Sequence, residues 1–239
     1  MNYDRDIVIS TAGSSKSRVW LPQPTSWSAF AGRLKSPQWG QETMEEYLAL
    51  PKAQQDSRKD VGGYVGGTLA GERRRKGEVL GRDLITLDMD ALPQDGVAQV
   101  VQKLDILTCG WALYSTRRHR QDTPRLRVVI PLSKTIPGED YEAAARMLAY
   151  WIQLAWCDPT PFQPERMMYW PSACRGAEYL CEVRDRPLLD PDLVLSVYQN
   201  PRDQSSWPTL PAAETPAQGE GAAQGEDAEP AIGRRRKRT

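Results

Sequence analysis

The sequence predicts an α+β fold, and three observations carry that prediction. Short apolar runs of strand-like period recur at residues 84–90, 111–115 and 125–132, with a further short run at 166–170. Apolar residues return at helical spacing over 97–104 and 139–156. The two kinds of segment interleave as β-α-β-β-α-β, the ferredoxin-like order that also describes an RRM-like core, an antiparallel sheet with two helices on one face.

The elements follow in chain order. Residues 1–80 form an N-terminal α/β module, with helix-like stretches at 25–34 and 41–50 and then the glycine-rich run Gly62-Gly63-Tyr64-Val65-Gly66-Gly67. The core occupies 81–202. Within 84–90, strand alternation points Thr86, Asp88 and Asp90 to one face and Ile85, Leu87 and Met89 into the interior. The run at 125–132 sets Arg125, Arg127 and Val129 against Leu126, Val128 and Ile130, a strand with one partly cationic face that pairs with 111–115 as a hairpin. The second helix gathers Ala145, Leu148, Ile152 and Ala155 on one side, and 166–170 supplies the last strand before Pro171. The open face of this sheet is the expected place for a site. From Asp203 to residue 239, Pro, Ala, Gly, Gln and Glu dominate up to the basic cluster Arg234 to Arg238, a composition that predicts a disordered tail.

A chain of 239 residues with 40% hydrophobic content, 8 Trp and 9 Tyr can bury the core of one domain or of two small packed modules. No apolar run is long enough to span a bilayer, and the polar start MNYDRDIVIS lacks the pattern of a secretory leader, so a cytoplasm is the expected location. Cys109, Cys157, Cys174 and Cys181 lack the close pairing of a zinc or redox site and are expected to be reduced and structural. The formal net charge of +0 argues against a strongly basic nucleic-acid-binding protein. That average hides two arginine-rich runs, at 73–82 and 117–127, which flank the carboxylates of 84–90.

Asp88 and Asp90 repel each other on one strand face unless a cation lies between them, and hard carboxylate oxygens suit Mg²⁺ or Mn²⁺. Asp158, at the end of the second helix, can return to the same face. Three such ligands match the needs of two divalent ions that activate a hydroxyl and steady a pyrophosphate leaving group. A polar strand end for Asp88 and Asp90, and a turn residue for Asp158, are the plain alternatives. Residues 116–124 hold Arg117, Arg118, His119 and Arg120 beside Arg125 and Arg127, and guanidinium groups grip phosphate oxygens two at a time. Arg166 is a further phosphate candidate. His119 is the sole histidine, which excludes histidine metal cages.

Several ordered motifs carry a family resemblance: D-V-G-G-Y-V-G-G from Asp60, R-R-R-K-G from Arg73, R-D-L-I-T-L-D-M-D from Arg82, Y-S-T from Tyr114, P-R-L-R-V-V-I-P-L from Pro124 and D-P-T-P-F-Q-P-E-R-M-M-Y-W-P-S from Asp158. Over most of residues 7–185 the chain resembles the archaeo-eukaryotic primase superfamily, in the branch found in virulence-associated E proteins of phages and prophages. The resemblance implies a primase-polymerase whose D-x-D motif corresponds to Asp88 and Asp90 and whose later aspartate corresponds to Asp158, all three as catalytic metal ligands. Its S-x-H motif corresponds to Ser115 and to a position held here by Arg117, so either an arginine keeps the phosphate contact, or His119 has slipped into it, or activity is altered.

The expected activity is template-dependent nucleotidyl transfer with two Mg²⁺ or Mn²⁺ ions on nucleoside triphosphates and a single-stranded DNA template. Ser115, Arg117, His119, Arg125, Arg127 and Arg166 would meet the nucleotide, and Arg73, Arg74, Arg75, Lys76 and Arg82 the template. Two other classes compete: a catalytically weakened single-strand-binding module that recruits a helicase, and a metal-dependent nuclease using the same aspartates. No phosphate-binding G-x-x-x-x-G-K-[ST] loop occurs, since Gly66 to Gly71 is followed by Glu72, so any replicative helicase would be a separate chain.

Overall fold

The computed structural model describes residues 1–210; the predicted tail from residue 211 on, with the Arg234 to Arg238 cluster, lies outside the described residues. In chain order the elements are β1 (Asp6–Ala12), β2 (Leu21–Ser26), α1 (Trp27–Leu34), β3 (Gln38–Trp39), α2 (Met44–Ala49), α3 (Lys52–Lys59), β4 (Gly63–Val65), β5 (Gly67–Leu69), β6 (Val79–Met89), α4 (Gly96–Ile106), β7 (Trp111–Ser115), β8 (Leu126–Pro137), α5 (Gly138–Ile152), β9 (Met168–Tyr169), β10 (Ser172–Ala173), β11 (Cys181–Arg184) and α6 (Pro191–Leu195). They build a mixed α/β fold with two antiparallel sheets, β11-β7-β8-β6-β5 and β2-β1-β4-β9, and a short parallel pair of β10 with β3. No helix among the described residues is long and apolar enough to cross a membrane.

The period-two pattern is realised in the central sheet. Ile85, Leu87 and Met89 of β6 pack with Leu126, Val128 and Ile130 of β8 against Val100 and Leu104 of α4 and Leu148 and Ile152 of α5. Each such side chain taken fully out of water stabilises the fold by roughly 1.5–3 kcal/mol. The hairpin of β7 with β8 forms in antiparallel register, Tyr114 opposite Arg127. The second helix stops at Ile152 and gives way to a tight turn over Leu154–Trp156, which leaves Ala155 exposed.

Two expectations about this sheet require correction. Residues 166–170 do not close it. Met168 and Tyr169 pair instead with Tyr64 and Gly63 of β4, where Tyr64, Trp170 and Phe30 form an aromatic cluster with ring centroids 4.7 Å (Tyr64–Trp170) and 4.9 Å (Phe30–Tyr64) apart. Gly63 makes that pairing possible, because a Cβ there would collide with the Met168 carbonyl. The edge beside β7 is taken by β11, and the edge beside β6 by β5. The sheet face expected to stand open is also covered. Leu84, Ala112, Tyr114 and Val129 pack there against Ile7, Ile9, Trp27, Phe30 and Tyr64.

A buried polar clamp joins the same two layers. Asp83 pairs with Arg5 at 2.5 Å, accepts the Val8 N–H at 2.8 Å and receives the Thr135 hydroxyl. Order also persists past the predicted tail boundary at Asp203. Asp203 caps a turn over Gln204–Ser206 by accepting from the Ser205 N–H at 3.0 Å, and Trp207 packs against the main core while donating to the Pro201 carbonyl at 2.7 Å.

Candidate active site

The covering layer stops short of the C-terminal end of β6. The space left is a cavity of about 250 Å³ lined by Asp88, Asp90, Asp158, Ser115, Arg117, Arg125, Arg127 and Arg166 among others. Alternation along β6 aims both Asp88 and Asp90 at it. Asp158 reaches it because the chain after α5 returns along β6: Cys157 bridges to Met89, and the Asp158 N–H donates to the Asp88 carbonyl at 2.8 Å. The Asp158 carboxylate accepts from both the N–H and the hydroxyl of Thr160, each at 2.9 Å.

Three of the cavity arginines are already partnered by acids. Arg127 Nη2 lies 3.5 Å from Asp88, Arg125 Nη1 lies 2.8 Å from Asp90, and Arg117 Nη2 lies 2.5 Å from Glu42 while its guanidinium sits 5.1 Å from the Tyr47 ring centre. Burial opposes the charge on Asp88 and pushes its carboxyl pKa up; Arg127 pulls it back, and the neighbouring charges of Asp90 and Asp158 push it up again. Burial also works against the Arg127 charge, but Asp88 holds it firmly protonated and the net shift is upward. The Cys157 thiol is pushed up to about 12 by burial and by the charges of Asp88 and Asp158, so it stays protonated and is no nucleophile. Three buried polar atoms on these residues lack any partner: Asp88 Oδ1, Arg117 Nε and Arg127 Nε. Buried groups are nearly always hydrogen-bonded, so this concentration in one cavity marks a place built to receive a polar ligand.

The model of the VapE N-terminal domain family matches residues 1–210. The chain belongs to that family. No curated protein matches the sequence. Among solved structures, the AEP domain of the cyanophage S-2L primase-polymerase is similar at 14% identity and a TM-score of 0.41, over 82% of this chain and 88% of that one.

In this VapE N-terminal domain not every expected nucleotide residue reaches the cavity with a free group. Ser115 lines it, but its hydroxyl accepts from the Leu180 N–H at 3.0 Å. His119 is buried beside it, with Nδ1 accepting from the Arg125 N–H at 3.2 Å, and it is not among the lining residues. The expected template set divides. Arg73, Arg75 and Lys76 are exposed and Arg74 is half-buried, whereas Arg82 is fully buried, donating to the carbonyls of Pro164 (2.5 Å) and Leu84 (3.1 Å) and stacking 3.9 Å from the Tyr141 ring centre. Arg82 is therefore a structural strut.

Sequence reading missed Tyr47, Lys52 and Lys59, which line the cavity from the α2–α3 segment. Helix α3 has no apolar stripe to announce it. It is held by buried Gln55, whose side-chain amide donates to the Leu50 carbonyl at 2.7 Å, and by Lys52 and Lys59 pairing with Asp56 at 2.5 and 3.0 Å. The pairing at successive helical turns, i to i+4 and i to i+3, was the one available signal.

The carboxylates fit a divalent cation in chemistry. Asp88 Oδ1 is a hard oxygen donor, buried and unpartnered, in a cavity shared with two more aspartates. Among the described residues, no three His, Cys, Asp or Glu side chains converge closely enough to hold a metal together. Asp88, Asp90 and Asp158 serve here as partners to Arg127, Arg125 and Thr160.

Proposed function

We propose that this domain transfers nucleotidyl groups from nucleoside triphosphates to a strand growing on a single-stranded DNA template, as a primase-polymerase with an RRM-like catalytic segment from β6 to α5. The observation that carries this reading is the joint lining of one cavity by Asp88, Asp90 and Asp158 and by Arg117, Arg125, Arg127 and Arg166. A polyphosphate needs cations around it, and a reacting 3′-hydroxyl needs carboxylates that can gather Mg²⁺ or Mn²⁺. Both are within one space.

Asp88, Asp90 and Asp158 would hold two such ions, which when bound lower the pKa of an attacking hydroxyl and neutralise the leaving pyrophosphate. The chain's own residues do the rest. Arg125 and Arg127, released from their aspartates, bind phosphate oxygens. Arg117, always charged, stands where the family resemblance expects histidine. Lys52, Lys59 and Arg166 add positive charge around the cavity. Arg82 and Asp83 act only by holding β6 in place.

The test is incubation of the full chain with a primed and an unprimed single-stranded template, labelled nucleotides and Mg²⁺ or Mn²⁺. Template-directed products are expected, and Asp88→Asn or Asp90→Asn should reduce them by at least about a thousandfold, roughly 4 kcal/mol of barrier. Near-normal synthesis by either variant removes the assigned aspartates from the chemistry. A second reading, a single-strand-binding module that recruits a separately encoded helicase, is favoured by one specific observation: Arg117, Arg125 and Arg127 are all neutralised by acids. Template binding without synthesis under either metal would select it, and degradation of the template would select a nuclease.

A further inference from the structure

Outside the cavity, a second concentration of positive charge is formed by two loops brought together. Residues 14–20 and 72–76 are stapled by the Trp20 N–H donating to the Glu72 carbonyl at 2.8 Å, and the first loop is closed by the Trp20 indole N–H donating to the Ser17 carbonyl at 3.1 Å. Between them lies a groove of about 370 Å³ lined by Ser17, Arg18, Arg73, Arg74 and Arg75 alone. Among the described residues Arg18, Arg73 and Arg74 have no carboxylate partner, and Arg75 has only Glu78 at 3.7 Å. Four arginines held together with few acids beside them, Glu78 at Arg75 and Glu165 acting on Arg74, repel one another, so this arrangement gains stability from an anion.

Arg74 supplies the second observation. It is half-buried, its guanidinium lies 5.2 Å from the ring centre of the fully buried Trp20, and its Nε is buried with no partner. Burial pushes its pKa down, and so does the charge of Arg166, which lines the catalytic cavity, while Glu165 acts in the opposite direction. Trp20 packs in one apolar cluster with Val65, Met167 and Tyr169, and Tyr169 in turn lines that cavity. The groove and the cavity thus share an apolar floor, with Arg74 of the one and Arg166 of the other close enough to feel each other's charge.

We propose that the groove of Arg18, Arg73, Arg74 and Arg75 binds the phosphate backbone of single-stranded DNA and leads it past Arg166 and Tyr169 into the catalytic cavity. The row of guanidiniums suits a repeating chain of phosphates better than one compact polyphosphate. The inference rests on the nucleotidyl-transfer reading for the direction of the strand, and on the groove alone for its binding.

Fluorescence anisotropy of a labelled single-stranded oligonucleotide with the full chain tests it, using Arg73→Ala/Arg75→Ala and the charge-reversed Arg73→Glu. The basic cluster near the C-terminus is common to all three proteins and cancels in the comparison. The double variant is expected to bind at least about fivefold more weakly near 0.1 M salt, with the log–log salt slope reduced by about 1.4 for two lost contacts at ~0.7 each. Arg73→Glu, which changes the charge by the same two units at one position, should weaken binding by a similar factor, while thermal stability and binding of a Mn²⁺–triphosphate stay unchanged. Unaltered affinity and slope in both variants, in a chain that still synthesises DNA, overturns the groove and leaves the function standing. Equal losses with a duplex oligonucleotide overturn the single-strand assignment, and a wild-type chain that neither binds the oligonucleotide nor synthesises overturns both.

Discussion

The two arginine groups of this domain are set up in opposite ways. In the cavity, Arg117, Arg125 and Arg127 each face a carboxylate, and Arg127 with Asp88 forms a largely buried pair. In the groove, Arg18, Arg73 and Arg74 form no ion pair among the described residues, and only Arg75 has one, with Glu78 at 3.7 Å. Compensated charge in a cavity makes binding an exchange of partners, with short-range, geometry-dependent energetics. Uncompensated charge at a surface makes binding an attraction of long reach, screened by salt over roughly 8–10 Å under ordinary conditions. On the proposed reading, the fold separates a place where ligands must fit from a place where a strand need only be held.

The largest expected effect breaks the buried pair. Arg127→Met leaves Asp88 without its counter-charge beside Asp90 and Asp158, and should lower unfolding stability by about 3 kcal/mol, read as a shift of the urea midpoint at constant slope. Adding Asp88→Asn to that variant should recover most of the loss, because the stranded charge is gone. Removing Arg73 should cost under about 0.5 kcal/mol, as expected for a surface cation with no partner. If Arg127→Met were as mild as Arg73→Ala, the cavity pair would be no compensation and the contrast would collapse.

A smaller effect sharpens the exchange. A cation that takes Asp88 and Asp90 frees Arg127 and Arg125, and a triphosphate that takes those arginines frees the aspartates. Each ligand should therefore tighten the other by about tenfold or more, a coupling of roughly 1.4 kcal/mol, measurable by calorimetry with Mn²⁺ alone, a non-hydrolysable triphosphate alone, and both. Independent binding would mean that the ion pairs persist in the loaded site.

What the sequence made legible was the local pattern. Period two on β6 and β8 placed Asp88, Asp90, Arg125 and Arg127 correctly on one face, because alternation depends only on neighbouring residues. Period 3.6 located α4 and α5. What it hid was long-range pairing. Met168 and Tyr169 are as strand-like as predicted, but their partner is β4, chosen by the aromatic packing of Phe30, Tyr64 and Trp170 that no local pattern reveals. Cys181–Arg184 is short and half charged, so its place at the edge of β7 gave no signal. Arg82 looked like one more cation of a basic run, yet the core closes around it. Lys52 and Lys59 reach the site from α3, a helix held by the Gln55 side-chain amide and by ion pairs, which leave only a faint trace in composition.

A last pair of effects separates Arg117 from His119 as the phosphate contact. His119 is the only histidine, so it is the one side chain whose ordinary pKa lies near 6.5. Burial pushes that pKa down, and its Nδ1 must stay unprotonated to accept the Arg125 N–H. The unfolded chain takes up a proton near pH 6.5 and the folded chain only at lower pH, so the contribution of His119 to stability is complete above about 6.5 and declines as the pH falls below it. His119→Gln should flatten the stability profile in that window. The Michaelis constant for nucleotide should stay flat across the same window in the wild type, since Arg117 remains charged throughout. Arg117→Ala should weaken nucleotide binding by about 1.5–3 kcal/mol, the scale of a charge-assisted hydrogen bond. A Michaelis constant that instead changes near pH 6.5 and loses that dependence in His119→Gln would assign the phosphate to the histidine, and would mean that the turn opens to free it when nucleotide binds.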